Sequence, residues 1–267
     1  MAEPVAAHLR AVPRWLRWLA PTLSFVAALL AWEAAVRHWK IPPYLLPAPS
    51  LVAQTLFERF GSLAPSWWVT IAITLQALAL AVLGGVLLAV WFALAPLAEV
   101  SLAPFAVVLQ VTPVIAVAPL ILILTDSPGA TMLICAWIVA FFPILANTVV
   151  GLRSTDPNLR DLLRLYGATR WQTLRHLLVP SALPYFMAGL KVAGGLSLIG
   201  AVVAEFTAGA AGRQTGLASR ILEASFRTEI PTMFAALVLV SLTGVAIYLL
   251  LGALERALLG RWHESQR

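Results

Sequence analysis

The sequence predicts an all-α integral membrane protein of about six transmembrane helices, and three observations carry that expectation. Hydrophobic residues make up 61% of the 267 and charged residues only 11%, less than half the roughly 25% charge of an ordinary soluble domain. Six apolar segments, near residues 19–37, 66–95, 102–124, 129–150, 186–208 and 232–253, are long enough to cross a hydrocarbon core, for which about 20 helical residues suffice. The formal net charge of +6 sits mostly between and beyond these segments, where basic residues of a membrane protein set its topology. Backbone polar groups in lipid must be satisfied within the segment, so each span is read as a helix in spite of its Val and Ile content. The basic balance speaks of a lipid bilayer and not of nucleic acid.

Residues 1–18 form an N-terminal tail with Arg10, Arg14 and Arg17, followed by an apolar run from Leu19 to Val36. That run exceeds the roughly 7 to 15 residues of a signal-peptide core, so an uncleaved first span is expected. In the connection IPPYLLPAPSLVAQTLFERFGS the prolines forbid a helix at first. Ser50 then caps a short amphipathic helix with Leu51, Val52, Leu56, Phe57 and Phe60 on one face, expected to lie along the outer membrane surface ahead of the second span.

The third span holds Gln110, Thr112, Pro113 and Pro119. Each interior proline frees a carbonyl that needs another donor or water, which suits either a solute path or a simple kink in a packed bundle. In the fifth span Gly194, Gly195, Ser197 and Gly200 let backbones come close, as a packing contact or as a narrow pathway wall. Between the fifth and sixth spans AGAAGRQTG reads as flexible, LASRILEASFR as an amphipathic helix, and Pro231 as the start of the last span. Residues 19–255 are thus read as a single transmembrane domain and 256–267 as a second tail. Cys135, the one cysteine, excludes an intrachain disulfide and is expected as a small buried hydrophobe.

Counting Lys and Arg outside the spans fixes an expected orientation. With the N-terminus inside, the two tails and the connection after the fourth span hold eleven, and the opposite side holds six. The bias puts both termini and that connection on the cytoplasmic side.

That connection, residues 153–184, contains DLLRLYGATRWQTLRHLLVPSALP. Asp156 followed by Pro157 marks a helix start, after which Leu159, Leu162, Leu163 and Tyr166 recur at helical spacing, with Arg160 and Arg164 on the other side. Gly167 interrupts the helix after about ten residues, roughly 15 Å and too short to span. Thr169 and Gln172 are placed for a capping box, Trp171, Leu174 and Leu178 form a second stripe, and Pro180 and Pro184 are expected to stop the helix before the fifth span. Two readings fit this pair of short amphipathic helices. It is a membrane-surface element with a solvated basic face, or a docking element whose apolar ridge fills a partner's groove.

The stretch resembles the EAA-type cytoplasmic loop of ABC importer permeases, with Asp161 in the acidic position, Gly167 six residues later followed by Ala168, and LLVPSALP closing the motif. It departs from that pattern in having Leu162 and Leu163 where alanines usually stand, and Asp161 for a glutamate. The resemblance continues in WEAAV, LLPAPS, VTPVIAVAPL, FFPILANTVVGLRSTDP and AGLKVAGGLSLIGAVVAEF, and covers roughly residues 20–260. These motifs are similar to those of permeases of the nitrate, sulfonate, taurine and thiamine-precursor importers. The resemblance implies a type I ABC importer permease-like bundle with a cytoplasmic coupling helix, in the inner (plasma) membrane of a bacterium. It further implies a homodimer, two ABC ATPase subunits that bind ATP and Mg, and a periplasmic or extracellular solute-binding protein. The ATPase contact would fall on Asp161, Arg164, Tyr166, Gly167, Ala168, Thr169, Trp171, Leu174 and Pro180. The solute class it implies is a small organic molecule or oxyanion of the nitrate, sulfonate, taurine or pyrimidine-precursor kind.

The chemistry-bearing residues agree with a transporter subunit that holds no cofactor of its own. No G-x-x-x-x-G-K-[ST] phosphate loop occurs, so energy must come from another subunit or from a gradient. His8, His38, His176 and His263 are scattered, with no pair at ligand spacing, and no catalytic or metal site is expected. Charged groups inside spans default to functional candidates. Glu33 stands four before Arg37, where a helical ion pair or snorkelling explains both, and Lys191 can reach the cytoplasmic interface. Glu205, in VVAEFTAG, has no basic residue within a helical turn. It is either solvated near the outer mouth or bonded to a neighbouring helix, or else it orders the outer gate or bonds the passing solute. Gln110, Thr112, Pro113, Ser197 and Glu205 are therefore the candidates for the translocation path. The alternative, a gradient-driven secondary transporter, needs buried acidic or cation-coordinating groups at the midplane, and only Glu205 could serve.

Overall fold

The computed structural model describes residues 14–208 and 215–260, and no strand occurs among them. Its elements in chain order are α1 (Arg14–His38), α2 (Pro49–Leu94), α3 (Pro96–Val111), α4 (Val114–Thr125), α5 (Pro128–Arg153), α6 (Pro157–Leu165) and α7 (Arg170–Thr173), then a π turn (Leu174–Leu178), α8 (Val179–Ala208), α9 (Leu217–Phe226) and α10 (Ile230–Leu259). Five helical runs among the described residues are long and apolar enough to cross a membrane, and α3 with α4 reaches that length and apolarity only when the bent pair is taken together. The expected stretch AGAAGRQTG lies mostly outside the described residues, as do parts of both tails.

Several expectations are corrected. The outer-surface helix around Ser50 is not a separate element, because α2 runs unbroken for 46 residues. Pro65 removes one ladder bond, to the carbonyl of Gly61, and the helix tolerates that loss near its middle. Nor does Ser50 cap it: α2 starts at Pro49, where a missing N–H costs nothing, and Ser50 donates its N–H (3.0 Å) and its hydroxyl (2.8 Å) to the Glu33 carboxylate.

The third span is not one helix. Between α3 and α4 the axis turns by 102°. Thr112, held extended at φ −67°, ψ 123° by the proline that follows it, turns its hydroxyl back to the Val108 carbonyl at 2.7 Å. Pro113, extended in its turn, precedes the first residue of α4.

Pro180 and Pro184, finally, do not stop the helix that begins at Arg170. From Arg170 to Thr207 the chain forms one run. The π turn widens the ladder just ahead of Pro180, with Val179 N–H reaching the Leu174 carbonyl five residues back, and so absorbs the donor that proline lacks.

The chain divides into two compact units, Met1–Phe60 with Ala224–Ala235 and Gly61–Glu223 with Ala236–Arg267. In the first, Trp32 packs against Phe234 with ring centroids 5.9 Å apart, and Arg59 pairs with Glu229 at 2.6 Å. Arg37 completes the Glu33 cluster at 2.6 Å, as its spacing of four predicts.

In the second unit α5 and α8 pack along one another, and small residues let them do so. A Cβ on Gly200 would stand 2.8 Å from Ala136 Cα, one on Gly189 2.8 Å from the Pro143 carbonyl, and one on Gly151 2.9 Å from Ala182 Cα. Gly194 faces Ile247 and Leu251 of α10, whereas Gly195, expected at a close approach, meets nothing within 4 Å. Phe92, Phe141, Ile144, Leu145, Leu152 and Leu190 fill the adjoining core, and Cys135 is buried. Lys191 pairs with Glu255 of α10.

Candidate functional site

The connection between α5 and α8 is built from local chemistry. Asp156 accepts the Asn158 N–H at 2.8 Å and Pro157 opens α6, the capping its sequence predicts. At the other end Ala168 N–H reaches the Leu163 carbonyl and Gly167 N–H the Arg164 carbonyl, both at 2.9 Å. This is a Schellman closure, which needs a residue at positive φ, and Gly167 supplies it at φ +74°. Thr169 and Gln172 then form the expected capping box, at 2.7 and 3.2 Å.

These turns decide which side chains face outward. Leu165 is 86% exposed, Tyr166 81% and Trp171 64%, while Leu174 and Leu178 are buried and anchor the segment to the core. Of the predicted stripe Trp171–Leu174–Leu178 only Trp171 is therefore free. Arg160 donates to the Leu152 carbonyl at 2.6 Å, tying α6 to the end of α5. Asp161 pairs with Arg164 at 3.2 Å in the open.

The residues proposed for a solute path separate by burial. Gln110 and Pro113 are exposed at the bend of the third span and Thr112 is half-buried, whereas Ser197 is buried and bonds its own helix at the Gly194 carbonyl, 3.0 Å away.

Glu205 has no exposure at all. Its carboxylate accepts the Thr70 hydroxyl at 2.8 Å and the Ala218 N–H at 2.7 Å, and Thr70 in turn accepts the Leu217 N–H at 2.9 Å. Arg220 Nε donates to Ser66 at 3.0 Å and its NH1 meets Glu223 at 2.9 Å. So Glu205 and Thr70 together cap α9. Sequence reasoning named Glu205 but missed Thr70, Ser66 and Arg220. One clue was available, since Gly216 stands where a capping side chain belongs and has none, so the acceptor had to come from elsewhere. No group of three or more His, Cys, Asp or Glu able to hold a metal occurs among the described residues.

The model of the family described as binding-protein-dependent transport system inner membrane component matches residues 81–260. The chain is 34% identical over 277 residues to the riboflavin transport system permease protein RibX of Chloroflexus aurantiacus, covering 98% of this chain and 97% of that one. It is 33% identical over 252 residues to the formylaminopyrimidine transport permease protein ThiX of Halalkalibacterium halodurans, covering 93% and 97%. In fold it resembles a chain in the crystal structure of an amino acid ABC transporter with histidines, at a TM-score of 0.61 and 18% identity over 76% of this chain and 97% of that one. With two near-full-length relatives and a matching family model in agreement, the chain belongs to the binding-protein-dependent transport system inner membrane components, as a permease subunit of an ABC importer.

Proposed function

We propose that ATPase subunits carrying ATP and Mg dock on the segment from Asp156 to Leu178, and that their closure moves α5 and α8 to switch the path between inward and outward access. The observation that carries this reading is the Gly167 bend. It presents Leu165, Tyr166 and Trp171 to the outside while Leu174 and Leu178 tie the segment to the core, so a push on the exposed side is delivered to the two helices that pack along one another. Both termini and the docking segment face the cytoplasm, in keeping with the Lys and Arg bias. Two copies of the chain line the path, with Gln110, Thr112 and Pro113 of the bent span and Ser197 contributing, while Glu205 orders the outer gate through α9. Each of ATP and the loaded binding protein must prefer one of the two access states.

The solute is a small organic molecule, and the similarity to riboflavin and formylaminopyrimidine permeases favours a nitrogen heterocycle. The test of docking is Gly167→Val. No atom crowds the site, but a β-branched residue at φ +74° is strained. The ATPase subunits should no longer copurify while the chain stays in the membrane. Intact copurification with ATP-coupled uptake would overturn the docking reading. Ligand binding to the partner solute-binding protein, measured with riboflavin, a formylaminopyrimidine, an alkyl sulfonate and nitrate, tests the solute.

A further inference from the structure

Two adjoining cavities lie where the end of α2, the start of α3, the end of α5 and the α6–α7 segment meet, and they share Ala93, Pro96, Arg160 and Leu178 as common wall. The larger, about 420 Å³, is lined by Arg160, Arg164 and Arg170 and by no carboxylate. The smaller, about 200 Å³, has the apolar walls Ala89, Phe92, Val149 and Leu152. Its charged residues are Arg160, on the common wall, and Glu99 with Arg153, which neutralise each other in an ion pair.

The three arginines are poorly satisfied. Arg164 has only the exposed contact with Asp161 at 3.2 Å, which water screens. Arg160 donates one N–H to the Leu152 carbonyl, but its Nε is buried with no partner, and a buried donor without an acceptor calls for one. Arg170 has no ion pair among the described residues. Leu97 and Val100 of α3, next in sequence to Pro96 of the common wall, are exposed apolar side chains outside the lining of the cleft.

We propose that this cleft binds an anionic phospholipid, its phosphate headgroup on Arg160, Arg164 and Arg170 and an acyl chain entering the apolar pocket. A basic pocket contiguous with an apolar one matches both halves of such a molecule, and anionic lipids concentrate in the cytoplasmic leaflet. A soluble phosphate would satisfy the arginines and leave the apolar pocket unused. The inference rests on the orientation proposed above, and it assigns Arg164 to the lipid and leaves the ATPase contact to the exposed Leu165, Tyr166 and Trp171.

The experiment is native mass spectrometry of the full chain, purified in detergent and titrated separately with phosphatidylglycerol, phosphatidylcholine and inorganic phosphate. Phosphatidylglycerol should be retained in preference to phosphatidylcholine, with affinity falling about fivefold in Arg170→Ala, about fivefold in Arg160→Gln, and about twenty-five-fold in the double variant. Arg175→Ala, on the same connection but outside the cleft, should match the wild type. Equal retention of both lipids, or retention unchanged by both cleft variants, overturns the proposal. So does arginine-dependent binding of inorganic phosphate with no lipid retention, which assigns the cleft to a soluble anion. Loss of ATPase copurification in the variants with lipid retention intact also overturns it and assigns the arginines to the ATPase. Because retention is read on the purified chain, it is separable from sidedness: accessibility of a cysteine appended to the C-terminus reports the orientation by itself.

Discussion

Glu205 and Ala218 are joined by a 2.7 Å hydrogen bond from the second N–H of α9 to a carboxylate with no solvent exposure. The first N–H of the helix goes to Thr70, so two donors left open by the start of α9 are closed by side chains from α8 and α2. A negative group at this end also suits the helix dipole. Gly216 makes the approach possible, because a Cβ there would fall on the Glu205 carboxylate. The other unit repeats the device, with Glu33 of α1 accepting the N–H of Ser50 near the start of α2.

Glu205→Ala should destabilise the chain by about 2 kcal/mol, the cost of leaving a buried donor unsatisfied. Glu205→Gln, which keeps the volume and one acceptor, should cost roughly half of that. Thermal unfolding in detergent measures both. An alanine variant as stable as the wild type would show that α9 is not held by this carboxylate.

The α5–α8 seam predicts opposite outcomes at two glycines of one helix. Gly200→Ala places a Cβ 2.8 Å from Ala136 Cα, a backbone atom that cannot step aside, and should cost about 1–3 kcal/mol. Gly195→Ala meets nothing within 4 Å and should be neutral, or stabilising by up to about 1 kcal/mol through helix propensity. The same unfolding assay reads both variants.

Glu33 should matter more as an acceptor for α2 than as an ion-pair partner. Arg37 is 71% exposed, and an exposed pair contributes little, so Arg37→Ala should leave the unfolding temperature nearly unchanged. Glu33→Ala, which strands the Ser50 N–H and hydroxyl, should lower it clearly. Equal effects of the two would show that the pair, and not the acceptor, is what counts.

Tyr166 projects from the Gly167 bend with 81% of its surface exposed and contributes little to the fold. Tyr166→Ala should weaken ATPase-subunit binding about tenfold or more, as loss of an aromatic anchor does at an interface, with unfolding temperature unchanged. Copurification and binding titration with the ATPase subunit measure it. Undiminished binding would remove Tyr166 from the contact.

Membership of the family decides for the ATP-driven importer over the gradient-driven alternative. Much else was legible in the sequence because it is local chemistry. Apolar length located the spans, Asp156–Pro157 the start of α6, Gly167 its end, and Thr169 with Gln172 the next cap. What escaped was decided by context. Prolines alone do not say whether a helix stops: Pro113 breaks the third span, Pro65 passes inside α2, and a π turn carries the chain through Pro180.

The amino-acid sequence by itself determined where the long apolar runs lie, the caps at Asp156 and Thr169 and the bend at Gly167, since each depends on residues near one another in the chain. Only the tertiary structure decided what the charged residues inside the membrane do. Glu205 meets Thr70 across 135 positions of chain, and Lys191 meets Glu255 across 64. A buried charge in an apolar bundle must find its partner wherever the fold brings one, and neither spacing nor periodicity records where that is.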